Sequence, residues 1–341
     1  MLPRPIANPP NPWQTTGIEY LEGVSEARLE VYEDATRTIL SSNDSPDIPF
    51  RWSVNPYRGC FHGCAYCYAR PGHAYLGFGA GTDFERRVLV KLKAPELLRE
   101  AFDRPSWRGE YVMFSGATDC YQPLEASYGL TRGCLEACAE YRNPIGIVTK
   151  SPIVERDIDV LQHLCSVASA HVTVSIPFWD PANARAIEPF VASPQRRMRI
   201  VAALSRAGIP TSVNIAPLIP GLTDEDMPSI LAAAADAGAC GAAMQFLRLP
   251  GSAKVVFEER LRAALPLRAE RVLARVREMR GGRLNETRFG MRQGGEGPYA
   301  ASVQALFTET ARRLGLDTGH DPAADTTFAR PPRRGSQLSL F

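Results

Sequence analysis

The sequence predicts an α/β fold: a partial (β/α)6 TIM-like barrel with an irregular N-terminal arm and a helical C-terminal extension. Three observations lead there. Six short β-rich runs alternate with helical segments between residues 51 and 250, and that alternation implies a parallel sheet built through right-handed crossovers. The chain has 341 residues, enough for one large barrel or for two domains of about 150 residues. The unusual side chains gather in the peptides that follow the strands, where such a barrel carries its active site.

The elements follow in order. Residues 1–50 are rich in Pro, Asn, Asp and Ser and read as an irregular arm with one short helical stretch near 25–38. Strands are expected at 50–57, 110–115, 145–149, 171–176, 210–216 and 242–247, from their Val, Ile, Met and Phe content and their lengths. Helices are expected near 95–103, 127–141, 153–169, 194–207 and 224–237. Ser193 before Pro194 is an N-cap followed by Pro at the first helical position. Asp224, Glu225 and Asp226 load acid into a first turn, and Gly208 and Gly238 follow helices as stop signals. Beyond 250 the rhythm ends in Arg-rich helices near 253–265 and 268–280, a Gly-rich stretch, and a last helix to about 314. The domains are thus an arm (1–50), a core barrel (51–250), an Arg-rich helical extension (251–316) and a flexible tail (317–341).

Composition bounds the class. Lys and Arg number 39 against 37 Asp and Glu, and hydrophobic residues make up 45%. These values exclude wholesale disorder, a collagen and a disulfide mini-protein. No apolar run approaches the roughly 18 residues of a membrane span. The opening Met1-Leu2-Pro3-Arg4-Pro5 lacks the apolar core of a secretory signal. A cytoplasmic protein with no membrane association is expected. Residues 261–341 carry 14 Arg and no Lys against 8 acidic residues. A GC-rich coding bias explains that excess, and so does phosphate recognition by guanidinium forks.

Eight cysteines in a cytosolic chain argue against disulfides. Three stand together in Cys60-Phe61-His62-Gly63-Cys64-Ala65-Tyr66-Cys67, directly after the first predicted strand. Three converging thiolates repel one another unless a metal neutralises them. Zinc with His62 or His73 as fourth ligand is one solution. An iron–sulfur cluster with one iron left open is the other.

Cys60, Cys64, Tyr66 and Cys67 match the C-x3-C-x-aromatic-C signature, and on it the chain resembles the radical S-adenosylmethionine (SAM) superfamily. Asn55-Pro56-Tyr57-Arg58-Gly59 before the motif, Tyr68-Ala69-Arg70-Pro71 after it, Gly81-Thr82-Asp83-Phe84-Glu85, Ile147-Val148-Thr149-Lys150-Ser151 and Ala216-Pro217-Leu218-Ile219-Pro220-Gly221 resemble a bacterial branch related to spore photoproduct lyase. The resemblance spans about residues 36–315. It implies that Cys60, Cys64 and Cys67 hold a [4Fe-4S] cluster whose open iron chelates SAM. One electron, from a donor such as flavodoxin or ferredoxin, would then cleave SAM to a 5′-deoxyadenosyl radical that abstracts hydrogen from the substrate. It implies further that Tyr66 lies beside the adenine. Ser115 would lie near the methionine amino group, Lys150 would pair with the SAM carboxylate, Ser175 would meet a ribose hydroxyl, and Asn214 would flank the adenine. The segment from Ser115 to Asp119 departs from the common Gly-Gly-Glu pattern. The lyase returns a hydrogen atom from a cysteine near this strand end. Here Gly116 occupies the nearest position, which leaves Cys120 as the candidate donor.

The chain ends Gln337-Leu338-Ser339-Leu340-Phe341. This resembles the short peptide by which bacterial repair proteins and polymerases dock on the sliding clamp: apolar Leu338, Leu340 and Phe341 fill a groove and Gln337 orients them. The expected function is a radical SAM enzyme acting in DNA repair or modification. Radical modification of RNA or protein, and a non-catalytic iron–sulfur adaptor, are the alternatives.

Overall fold

The computed structural model describes residues 4–5, 28–319 and 326–332. Its strands in chain order are β1 Arg4–Pro5, β2 Glu30–Glu33, β3 Leu40–Ser42, β4 Trp52–Val54, β5 Tyr57–Arg58 and β6 Arg87–Val90, then β7 Val112–Phe114, β8 Ile145–Thr149, β9 Ala170–Ser175, β10 Thr211–Leu218 and β11 Gly241–Phe246. The larger sheet has the order β11-β10-β9-β8-β7-β4-β3 and the smaller β1-β2-β6-β5. From β4 to β11 every pair in the larger sheet is parallel, and β3 adds antiparallel at its edge. Six sequential parallel strands with helical returns are the expected (β/α)6 layout. Among the described residues the sheet stays open, with β11 and β3 as its edges.

Alternation along the strands separates two faces. Val112, Phe114, Ile145, Ile147, Val172, Val174, Val213 and Ile215 are buried in the apolar layer beneath the helices. The intervening positions, among them Met113, Gly146, Thr173 and Ser212, fall on the other, concave face. A Cβ on Gly146 would stand 1.9 Å from the Tyr111 hydroxyl, so the tyrosine fills the floor of that face only because residue 146 has no side chain.

Several expectations are corrected. The stretch near 25–38 contains a strand, β2, in place of a helix. Val31 buries against Val88 and Tyr57, and β2 pairs in parallel with β6, a strand not among the six expected. The arm is therefore structured at β2 and β3. The first expected strand splits at Asn55-Pro56: β4 joins the large sheet and β5 the small one. The helix expected over 127–141 breaks at Gly129, whose φ is +63°, into Glu125–Tyr128 and Leu130–Glu140. The helix expected over 153–169 opens with a 3-10 turn, Pro152–Asp157, before Ile158–Val167. The Arg-rich extension forms helices Ala253–Ala264, Pro266–Glu278 and Gly297–Arg313. Of these, Phe257, Leu261, Val272 and Leu273 pack in one cluster with Cys64, Ala65 and Tyr66.

The tail expected to be flexible contains a docked segment. Ala329 N–H donates to Tyr141, Thr326 to the Gly109 carbonyl, and Arg330 to the carbonyls of Phe102, Arg104 and Trp107. These partners precede β7 and β8, so residues 326–332 lie at the N-terminal ends of the strands. No helix of the described residues is long and apolar enough to cross a membrane.

Lys91, just after β6, is only 6% exposed. Burial, with Arg58 beside it, lowers its pKa to about 8 from the usual 10.5, against an opposing pull from Asp34. A lysine whose folded pKa is depressed costs stability wherever both states are charged. Stability therefore rises as pH climbs from about 8 toward 10.5. Lys91→Met is expected to stabilise the fold by on the order of 2 kcal/mol at pH 7. Urea unfolding at pH 7 and pH 10 checks this: the variant's advantage should shrink at the higher pH, and an equal advantage at both would refute it.

Candidate active site at the strand ends

The cysteine loop leaves β5 through Gly59, whose φ is +77°; a Cβ there would stand 3.0 Å from the Phe84 and Arg87 carbonyls. Cys60 N–H donates to Phe84 at 2.9 Å, and Gly63 and Cys67 N–H groups fold back on Cys60 and Cys64. The three sulfurs lie within electrostatic range of one another. Burial raises the Cys60 thiol to about 12 and pushes Cys64 well up too. Such a set becomes thiolate only against a strong cation. Backbone hydrogen bonding from Asp119 and His62 works against that rise at Cys60.

Arg70 holds this loop from below. It is wholly buried. Its guanidinium donates to the carbonyls of Cys64, Gly63, Ala80 and Gly81, and pairs with Glu85 at 2.6 Å. Gln122 ties the loop to the segment after β7, accepting from Phe61 N–H and donating to the Gly59 carbonyl. Neither Arg70 nor Gln122 is marked out by its spacing in the sequence. A run of five donors meeting five backbone and carboxylate oxygens is a three-dimensional match that linear spacing does not reveal.

The expected cofactor residues converge at the same end. The Tyr66 hydroxyl bonds Glu188, which pairs with Arg197, which in turn donates to the Ser175 carbonyl. Glu188 follows the helix Pro181–Ile187, which was not among the expected helices; Asp180 caps it by accepting from Ala182 and Asn183. The Lys150 ammonium stands 5.8 Å from the Tyr66 ring centroid. Asn214, on the concave face, has a buried side-chain oxygen with no partner among the described residues. Ser115 sits in the left-handed region at φ +80°, rare for a residue with a Cβ, and its hydroxyl accepts from Cys120 N–H. Asp119 receives Thr149 Oγ1 and Lys150 N–H, and lies 3.4 Å from His62 Nδ1.

Cys120 is the outlier. The turn at Ser115 sends it into the apolar layer with Cys134 and Leu135, wholly buried, its carbonyl accepting from Thr131. That is the position of a packing residue and corrects its reading as a donor on the active face. Of the histidines offered for zinc, His62 faces Asp119, while His73 packs against Phe78 and Phe84 with its Nε2 buried and unpartnered among the described residues. Among the described residues no three His, Cys, Asp or Glu side chains surround a single ion. Three cysteines on one short loop suit a cluster that leaves one iron open.

The profile of the radical SAM superfamily matches residues 54–234. The chain belongs to the radical SAM superfamily. A relative in Mycobacterium tuberculosis, itself an uncharacterized protein, is 38% identical over 234 residues, 68% of this chain and 68% of its own. Among solved structures, spore photoproduct lyase complexed with dinucleoside spore photoproduct has the same fold, with TM-score 0.61 and 16% identity over 89% of this chain and 86% of the lyase. A variant of that lyase with bound AdoMet and the dinucleoside aligns with TM-score 0.57 and 16% identity, over 87% and 84% of the two chains. This radical SAM chain is an enzyme, and its family uses SAM and a [4Fe-4S] cluster. The residues fit both groups: three clustered sulfurs, a lysine at the cysteine loop, and an unpaired acceptor on Asn214.

Proposed function

We propose that this radical SAM enzyme acts on DNA, in repair or modification, using a cluster held by Cys60, Cys64 and Cys67 and SAM held along the strand ends. The observation that carries the reading is the clamped cysteine loop beside a polar concave face. When bound, the cluster and SAM supply a radical able to abstract a hydrogen atom. The chain's own residues orient and shield. Arg70 and Gln122 hold the loop rigid, Lys150 offers a cation to the SAM carboxylate, and Asn214 accepts a hydrogen bond. Glu188 and Arg197 lock Tyr66 as a ring wall. Likeness in fold to a lyase complexed with a dinucleoside supports a nucleic-acid substrate.

The segment Gln337, Leu338, Ser339, Leu340 and Phe341 lies outside the described residues, and its docking on a bacterial sliding clamp is part of this proposal. Residues 326–332 are anchored at the end of the barrel opposite the site, which would let the clamp be engaged while the mouth stays free. Tethering would raise the local DNA concentration.

The test is SAM cleavage by reconstituted, reduced protein, with and without damaged duplex DNA, followed by mass spectrometry of the nucleosides. Formation of 5′-deoxyadenosine that rises several-fold with DNA is expected. Iron-loaded protein that leaves SAM intact would overturn the reading, and cleavage indifferent to DNA would remove its substrate. Deleting residues 337–341 should abolish binding to the purified clamp.

A further inference from the structure

At the open edge of the sheet, just beyond β11, Arg248 is half-buried. Its Nε is shut off from solvent with no acceptor, and among the described residues the guanidinium makes no hydrogen bond or ion pair. Its neighbours are committed. Arg280 donates to the Leu247 carbonyl at 2.8 Å, fixing the backbone beside Arg248. Arg292 pairs with Asp47, whose other oxygen accepts from Gly290 N–H. Burial, then Arg292, disfavours the charge on Arg248, against an opposing pull from Tyr68 and Asp47, and Arg248 in turn disfavours the charge on Arg280. Asp47, the carboxylate near Arg248, is already shared with Arg292 and Gly290, so a guanidinium with a desolvated, unpartnered N–H is left costly until a further acceptor arrives. Two exposed rings stand in this region. Tyr68, 53% exposed, is tethered through its hydroxyl to the Gly116 carbonyl at the mouth. Phe289, 59% exposed, has the Arg292 guanidinium 4.5 Å from its ring centroid.

We propose that Arg248, with Arg292 beside it, forms an oxyanion site on the rim of the mouth for a backbone phosphodiester of a DNA strand, with Tyr68 and Phe289 offering ring faces to its bases. The planar fork of Arg248 suits two phosphate oxygens. Base stacking on exposed aromatic rings beside such cations is how single strands are held without sequence reading. This rests on the DNA reading above and adds where and how the strand is gripped.

The test is fluorescence anisotropy of the full-length chain. The probes are two single-stranded oligonucleotides of one sequence, one with phosphodiester and one with uncharged methylphosphonate linkages, across a salt series. The wild type should prefer the charged strand. Arg248→Gln should weaken that binding about tenfold and flatten the salt slope by about one. Arg248→Lys should recover the slope without the full affinity. Phe289→Ala, at an exposed ring whose loss leaves the core intact, should cost about tenfold for both strands. If the wild type binds neither strand, the DNA reading and this site fall together. If it binds while the Arg248 and Phe289 variants bind equally well, only this site falls. An Arg248→Gln variant that loses SAM affinity but keeps oligonucleotide binding would assign the arginine to the cofactor and overturn the proposal.

Discussion

Replacing Arg70 with methionine is expected to leave a chain that cannot retain iron. The side chain is wholly buried and its donors satisfy four backbone carbonyls and the Glu85 carboxylate. Methionine fills much of the volume but donates nothing. Glu85 would stay buried without its cation, and breaking one side of such a pair costs about 3–5 kcal/mol. The freed carbonyls of Gly63 and Cys64 belong to the cysteine loop itself, so the loop loses its shape as well. Iron per chain and the visible absorbance after reconstitution are the direct measures, with urea unfolding alongside. Arg70→Met with Glu85→Gln should regain part of the stability and none of the iron. Arg70→Lys should also fail, because one ammonium cannot span oxygens on both sides of a planar fork. Iron content equal to wild type in Arg70→Met would refute the clamp.

Arg197→Met should be nearly as damaging, for a related reason at the opposite wall. Arg197 and Glu188 are both fully buried and pair at 2.5 Å. Glu188 also accepts from the Tyr66 hydroxyl, and Arg197 donates to the Ser175 carbonyl. Without the guanidinium, a carboxylate lies unpaired beside Cys64 and Tyr66. A loss of about 3–5 kcal/mol is expected, read by chemical unfolding. Tyr66→Phe removes one donor and leaves Arg197 in place, so its cost should be nearer 1–3 kcal/mol. Because the ring remains, SAM binding should fall far less in Tyr66→Phe than in Arg197→Met. A calorimetric titration with SAM that ranks the two the other way would show that the network does not position the ring.

Both predictions turn on residues that linear reading handled poorly. Arg70 and Arg197 look like any other charged residue in the sequence. Their burial is decided by what lies above them after folding. The cysteines were different. Their spacing is local, so three sulfurs on one short loop could be read directly, and the structure keeps them together. The placement of Lys150, Ser175 and Asn214 at strand ends follows from short-range pattern as well, because strand ends in an α/β fold converge and side-chain parity follows a period of two. Cys120 misled, since counting residues past a strand cannot foresee the left-handed turn at Ser115 that carries it into the core.

By itself the sequence determined the (β/α)6 order, the cysteine trio and the family to which they belong, since each rests on short-range periodicity or spacing. Only the tertiary structure decided that β2 pairs with β6, that Glu188 reaches Tyr66 across 122 residues, that residues 326–332 close on the far end, and that the buried Arg248 Nε is left without a hydrogen-bond partner among the described residues. Those are contacts between distant segments, and their free energy comes from desolvation and hydrogen-bond matching that exist only once the chain has closed on itself.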